Sequence, residues 1–85
     1  MNLNLVRAIV EALVFFETSD DDAVNPDEAV KAMESIAYFL QKIAGKDRAD
    51  FIESLHRIAA EETDTGRKSF IELIPEYFGL ENEDQ

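Results

Sequence analysis

Hydrophobic and polar positions alternate along this chain with a helical period from its second residue to Gly79. At about 100° per residue, Leu5, Val6, Ile9, Ala12, Leu13 and Phe16 share one face of a first helix spanning roughly 2–18. Its polar strip is narrow and holds only Asn4, Arg7, Glu11 and Thr18. Leu3, Ala8, Val10, Val14 and Phe15 widen the apolar arc well beyond the stripe of an ordinary surface helix. So wide an arc predicts either the central helix of a bundle or a self-association surface. Leu3, Val10, Val14 and Phe15 are the residues expected at an oligomer interface.

After the polar link Ser19-Asp20-Asp21-Asp22, the run Asn25-Pro26-Asp27-Glu28 marks a second helix start. Asn25 suits the cap, Pro26 the first helical position, and the two acids complement the dipole. Glu28 can also reach back to the cap as in a capping box. Ala29, Met33, Ile36, Leu40 and Ile43 then form a core stripe, and Gly45 is the expected stop. Tyr38 falls on the polar back of this helix beside Lys31, Glu34, Gln41 and Lys42, an exposed aromatic suited to contact.

A third helix is expected after Asp47 as cap, with Asp50 in its first turn. Phe51, Ile52, Leu55, Ile58 and Ala59 make its apolar face, which fades at Glu61-Glu62-Thr63-Asp64. The last element starts at Thr65 or at the capping box Ser69 to Glu72. Pro75 is expected to kink or split it. Phe70, Leu73, Ile74, Tyr77 and Phe78 are its core candidates, with Gly79 as terminator. Together these elements predict an all-α fold, a small antiparallel bundle of three long helices plus a shorter, proline-interrupted fourth. The domain covers 1–80, and 81–85 reads as an acidic flexible tail.

Composition narrows the function classes. The chain has 85 residues, 46% of them hydrophobic, and no cysteine, so packing alone must hold it. Eight basic residues stand against 19 acidic ones, a net charge of −11. That charge repels phosphates, which argues against nucleic acid and acidic membranes and favours a basic protein partner. The apolar start lacks a basic leader and a cleavage site, and Arg7 and Glu11 interrupt it, so neither a signal peptide nor a span is expected. The default location is then the cytoplasm.

Short connections place the first and third loops at one end of an antiparallel bundle. That end would collect Asp20, Asp21, Asp22, Asp27, Glu28, Glu61, Glu62 and Asp64 into one acidic pole, partly neutralised by Arg67 and Lys68. Lys42, Lys46 and Arg48 would mark the opposite end.

Signatures of chemistry are sparse. The run from Asp20 to Asn25 lacks the turn glycine of a calcium loop, and Val24 stands at a ligand position. Glu53 and His56 have the Glu-x-x-His spacing of di-iron bundles, yet they lie about 160° and about 100° from Leu55 around the helix. Glu53-Ser54-Leu55 resembles the Asp-Ser-Leu of acyl carrier proteins over three residues. The carrier serine opens a helix after a loop, whereas Ser54 sits inside one. No nucleophile pairs with His56, and no glycine-rich phosphate loop is present. No enzyme activity, cofactor or metal is therefore expected. The sequence points to a non-catalytic interaction module that binds a basic protein, self-associates as a homodimer, or both. A purely structural self-associating domain is the alternative, and a third reading is an acyl-carrier-like or metal-dependent protein resting on Ser54 or on Glu53 and His56. Bacterial immunity proteins that neutralise basic toxins are similar in size and acidity.

Overall fold

Three of the four helices begin on a short polar side chain that occupies the orphan amide groups of the first turn. The computed structural model describes residues 1–80. Within them run α1 (Leu3–Thr18), α2 (Pro26–Gln41), α3 (Gly45–Glu61) and α4 (Thr65–Tyr77), and no strand is present among the described residues. The tail expected at 81–85 lies outside the described residues. Asn2 Oδ1 accepts from the Asn4 and Leu5 amides at 2.8 and 3.2 Å. Asn25 Oδ1 accepts from Asp27 and Glu28 at 2.8 and 3.3 Å. Asp64 Oδ2 accepts from Arg67 at 2.8 Å, so α4 starts at Thr65 and Ser69 lies inside it.

The start of α3 differs from expectation. Its cap position is Ala44, with no side-chain acceptor, and Asp47 sits within the first turn. Gly45 at φ +58° provides the corner instead, in a conformation that costs most residues with a Cβ. Arg48 reaches back from α3 and donates to the carbonyls of Ile43 and Gln41 at 2.8 and 2.6 Å. One side chain thus satisfies the end of α2 and holds the short link to α3.

Helix α1 is central. It packs against all three other helices, α3 pairs with α4, and α2 approaches only α1 at the level of the backbone. Val6, Val10, Leu13 and Val14 are its buried residues, whereas Leu5, expected on the core face, is 63% exposed. The buried stripe is turned by about a quarter of the helix circumference from the predicted one. An arc apolar on most sides leaves that rotation undetermined, and the packing of α3 and α4 selects it.

Phe51, Leu55, Leu13, Ile71 and Ile74 form the centre of the core. No polar or charged residue is buried among the described residues. In α2 only Ala29 and Leu40 are buried, and Met33 and Ile36 are half-buried, as is Ile43 in the link beyond it. The extents, 39 × 28 × 19 Å, describe a flattened molecule. Its thinnest dimension is about two helix diameters of roughly 10 Å.

Helix α4 runs through Pro75 to Tyr77 as one element. The proline stands in the last turn. Beyond it the Leu80 amide donates to the Pro75 carbonyl at 2.8 Å and the Gly79 amide to Glu76 at 3.2 Å. With Gly79 at φ +70° this is a Schellman termination, in which buried Leu80 and Pro75 are the expected apolar pair. Pro75 has no N–H to offer the Ile71 carbonyl, so one bond of the ladder is missing, yet the helix continues two residues beyond it. Leu73 and Tyr77, expected in the core, are exposed, and Ile71 and Leu80 occupy the buried positions instead.

Candidate functional site

The eight acids expected at one pole lie in two separate places. Arg7 donates to Glu61 at 2.5 Å, and Arg67 donates to Glu11 at 2.6 Å and to Glu62 at 3.0 Å. These bonds set the α3–α4 corner beside the middle of α1. Seven more helical residues, about 10 Å, follow Glu11 before α1 ends at Thr18. The α1–α2 loop therefore extends past the corner rather than meeting it. The single acidic pole is replaced by an internally paired corner and a projecting acidic loop.

At the corner the acids are engaged. Glu61 also lies 4.0 Å from Arg57. Glu62 accepts from the Asp64 amide and from Arg67, and these bonds, the amide's first, hold its carboxyl below the ordinary range. Hydrogen bonding to Glu11 and then Glu62 raises the Arg67 guanidinium further above its ordinary value. Asp64 is committed to its cap. In the projecting loop Asp20 accepts from the Ala23 amide at 3.0 Å, and Glu28 pairs with Lys31 at 3.5 Å rather than closing a capping box. Asp21, Asp22 and Asp27 are exposed.

The four residues expected at an oligomer interface divide in the same way. Val10 and Val14 are buried inside the monomer at 1% and 6% exposure, and Leu3 is half-buried against the core. Only Phe15, 52% exposed, faces solvent. The face proposed for self-association is largely the core of α1 itself, because α3 and α4 cover it. Tyr38 is exposed, with Lys42 Nζ 4.7 Å from its ring centre. Glu53 and His56 are exposed, and Ser54 is half-buried two to three turns into α3. Among the described residues no three His, Asp or Glu side chains gather as a metal ligand set, and no helix is long and apolar enough to cross a membrane.

Val30 and Phe39, to which the sequence assigned no role, are exposed, and so is Tyr77, expected in the core. The helical phase carried the signal for the first two. Val30 and Phe39 sit about 80–100° to either side of the buried stripe of α2, on flanks that a second neighbour would have covered. No such neighbour is present, so α2 has an apolar residue on each flank. On the flank toward α4, two adjoining hollows of about 220 Å³ each run along the helix. Both are lined by Val30 and Met33; one continues to Glu17, Asp21 and Val24, the other to Glu34, Ala37 and Tyr77. Gln41 closes the far end, donating to the Phe78 carbonyl at 2.8 Å.

No protein-family model, curated protein or solved structure matches the chain.

Proposed function

We propose that this chain is a non-catalytic protein-interaction module whose partner is a basic protein. The observation that carries this reading is the setting of α2. At the level of the backbone it packs on α1 alone, and its α4-facing flank is apolar, open and bordered by Glu17, Asp21 and Glu34. An apolar surface supplies affinity, while the surrounding charge selects the sign of the partner and speeds encounter. A second copy of this chain fits less well, because each copy bears a net charge of −11.

Affinity capture from the source organism at low and high ionic strength tests the proposal. The expected result is one basic protein, captured at low salt and released as screening rises. Capture of no specific protein, or only of acidic ones, would count against it. Sedimentation should give a monomer for the isolated chain, and a tight dimer would return self-association to the lead.

A further inference from the structure

We infer that the groove along the α4-facing flank of α2 receives one amphipathic helix of the partner, apolar where it is buried and basic along its edges. This rests on the interaction-module reading above and adds the surface and the form of the ligand.

Shape is the first argument. The two hollows share Val30 and Met33 and so form one trough. Its ends are Val24 and Pro26 at the α1–α2 loop and Gln41 with Phe78 at the other side. The trough therefore follows α2 for its whole 16 residues, about 24 Å. That length matches a helix of about four turns. Helix α1 is the only helix that packs on α2 along its length, and from α4 only the end, Tyr77 and Phe78, reaches the trough. A further helix laid there would occupy the position that a closed four-helix bundle fills from within.

Lining is the second argument. Val30, Met33, Ala37 and Tyr77 present apolar surface, and Ala29 and Ala37 are small enough to admit close approach of a neighbouring helix. Burial of such a surface by i, i+3, i+4 and i+7 side chains is the helix-in-groove mode of recognition. A strand is not suited, since no sheet edge exists among the described residues to pair with it.

Charge is the third. Glu17 and Asp21 stand at one end of the trough and Glu34 beside its middle, and no lysine or arginine lines either hollow. The rim thus selects a basic edge on the incoming helix. It disfavours a second copy of this acidic chain. It also disfavours the chain's own residues Glu81, Glu83 and Asp84, which carry the same sign.

A fluorescein-labelled peptide of 16 residues, the length of α2, tests this directly. One peptide carries leucines at i, i+3, i+4 and i+7 with lysines elsewhere; a second has the same composition with the leucines scattered. The faced peptide should bind at least about tenfold more tightly. Amide shifts should gather at Val30, Met33, Ala37 and Tyr77. Val30→Lys and Tyr77→Lys, both at exposed positions, should each weaken binding about tenfold. Phe39→Lys makes the same charge change on the opposite flank and should leave binding unchanged. Thermal unfolding of each variant checks that the fold is retained. Equal binding of both peptides, equal weakening by Phe39→Lys, shifts centred elsewhere, or no binding at all would overturn the groove assignment. A captured cellular partner that binds Val30→Lys as well as the unaltered chain would also sink the groove, while leaving the interaction module standing. Absence of any cellular partner sinks the module instead.

Discussion

Arg67 donates to Glu11 across 2.6 Å, joining the first turn of α4 to the middle of α1 over 56 positions of sequence. The same guanidinium donates to Glu62 at 3.0 Å. One side chain therefore ties the α3–α4 corner to the central helix and sets how far α4 reaches along it. Where α4 begins decides which part of α2 is left uncovered.

Shortening or blunting that fork should be felt in graded order. Lysine keeps the charge but cannot present two directions of planar donors to two carboxylates. Arg67→Lys should be less stable than the unaltered chain, and Arg67→Ala less stable again. Both losses should shrink at high salt, since the side chains are partly exposed. Leu55→Ala provides the scale. It empties a fully buried site and should cost about 3 kcal/mol, more than either Arg67 variant. Urea unfolding at two salt concentrations measures all three.

Glu62 links stability to pH. Its carboxyl is held below the ordinary value of 4.5 by the Asp64 amide and by Arg67. The folded state thus favours the ionised form, so the contribution is complete above the unfolded pKa and is lost as pH falls through the folded one. Glu62→Gln removes this term. The stability gap between the unaltered chain and Glu62→Gln should be full near neutral pH and narrow as the medium becomes more acidic than 4.5. Using the difference between the two proteins cancels the relief of overall charge repulsion, which acts on both. A gap independent of pH would show that the hydrogen bonds to Glu62 contribute nothing through ionisation.

Val14 and Phe15 are neighbours in sequence with opposite fates, and polar substitution should separate them. Val14 is buried, so Val14→Ser places a hydroxyl in an apolar site and should cost about 2 kcal/mol. Phe15 is half in solvent and makes an edge contact with Phe16 at 5.5 Å between ring centres. Phe15→Ser should cost under about 1 kcal/mol. Neither should change the sedimentation of the isolated chain, which the monomer proposed above requires.

That pair also marks where sequence stopped being informative. Helix starts at Asn2, Asn25 and Asp64 were legible or nearly so, because caps are local chemistry between residues two or three apart. The stripe of α3 was legible because its polar face is broad enough to fix the phase. For α1 the apolar arc spans most of the circumference, and rotation is decided by α3 and α4, which no local pattern encodes. The acidic pole failed for a related reason. Grouping loops by end assumes that helices stand level, whereas Arg7–Glu61 and Arg67–Glu11 hold the α3–α4 corner beside the middle of α1. The exposed flank of α2 is the same fact seen from outside, since only the missing packing against α3 and α4 leaves Val30 and Phe39 uncovered.

Gly79 offers the sharpest test of how the chain ends its last helix. Its φ of +70° lies in the left-handed region, which costs a residue with a Cβ about 1 kcal/mol. A Cβ there would also stand 3.3 Å from Gln41 Nε2, the atom that donates to the Phe78 carbonyl. Gly79→Ala should therefore lose stability on both counts, by about 1–2 kcal/mol in total. Gln41→Ala removes the bond and the obstruction together, so the two substitutions should not add. In the double variant, Gly79→Ala should cost less than it does alone. A double-mutant cycle by thermal or denaturant unfolding measures that coupling. Strict additivity would mean that the end of α2 and the end of α4 are held independently, and that the closed end of the groove is set by each helix alone.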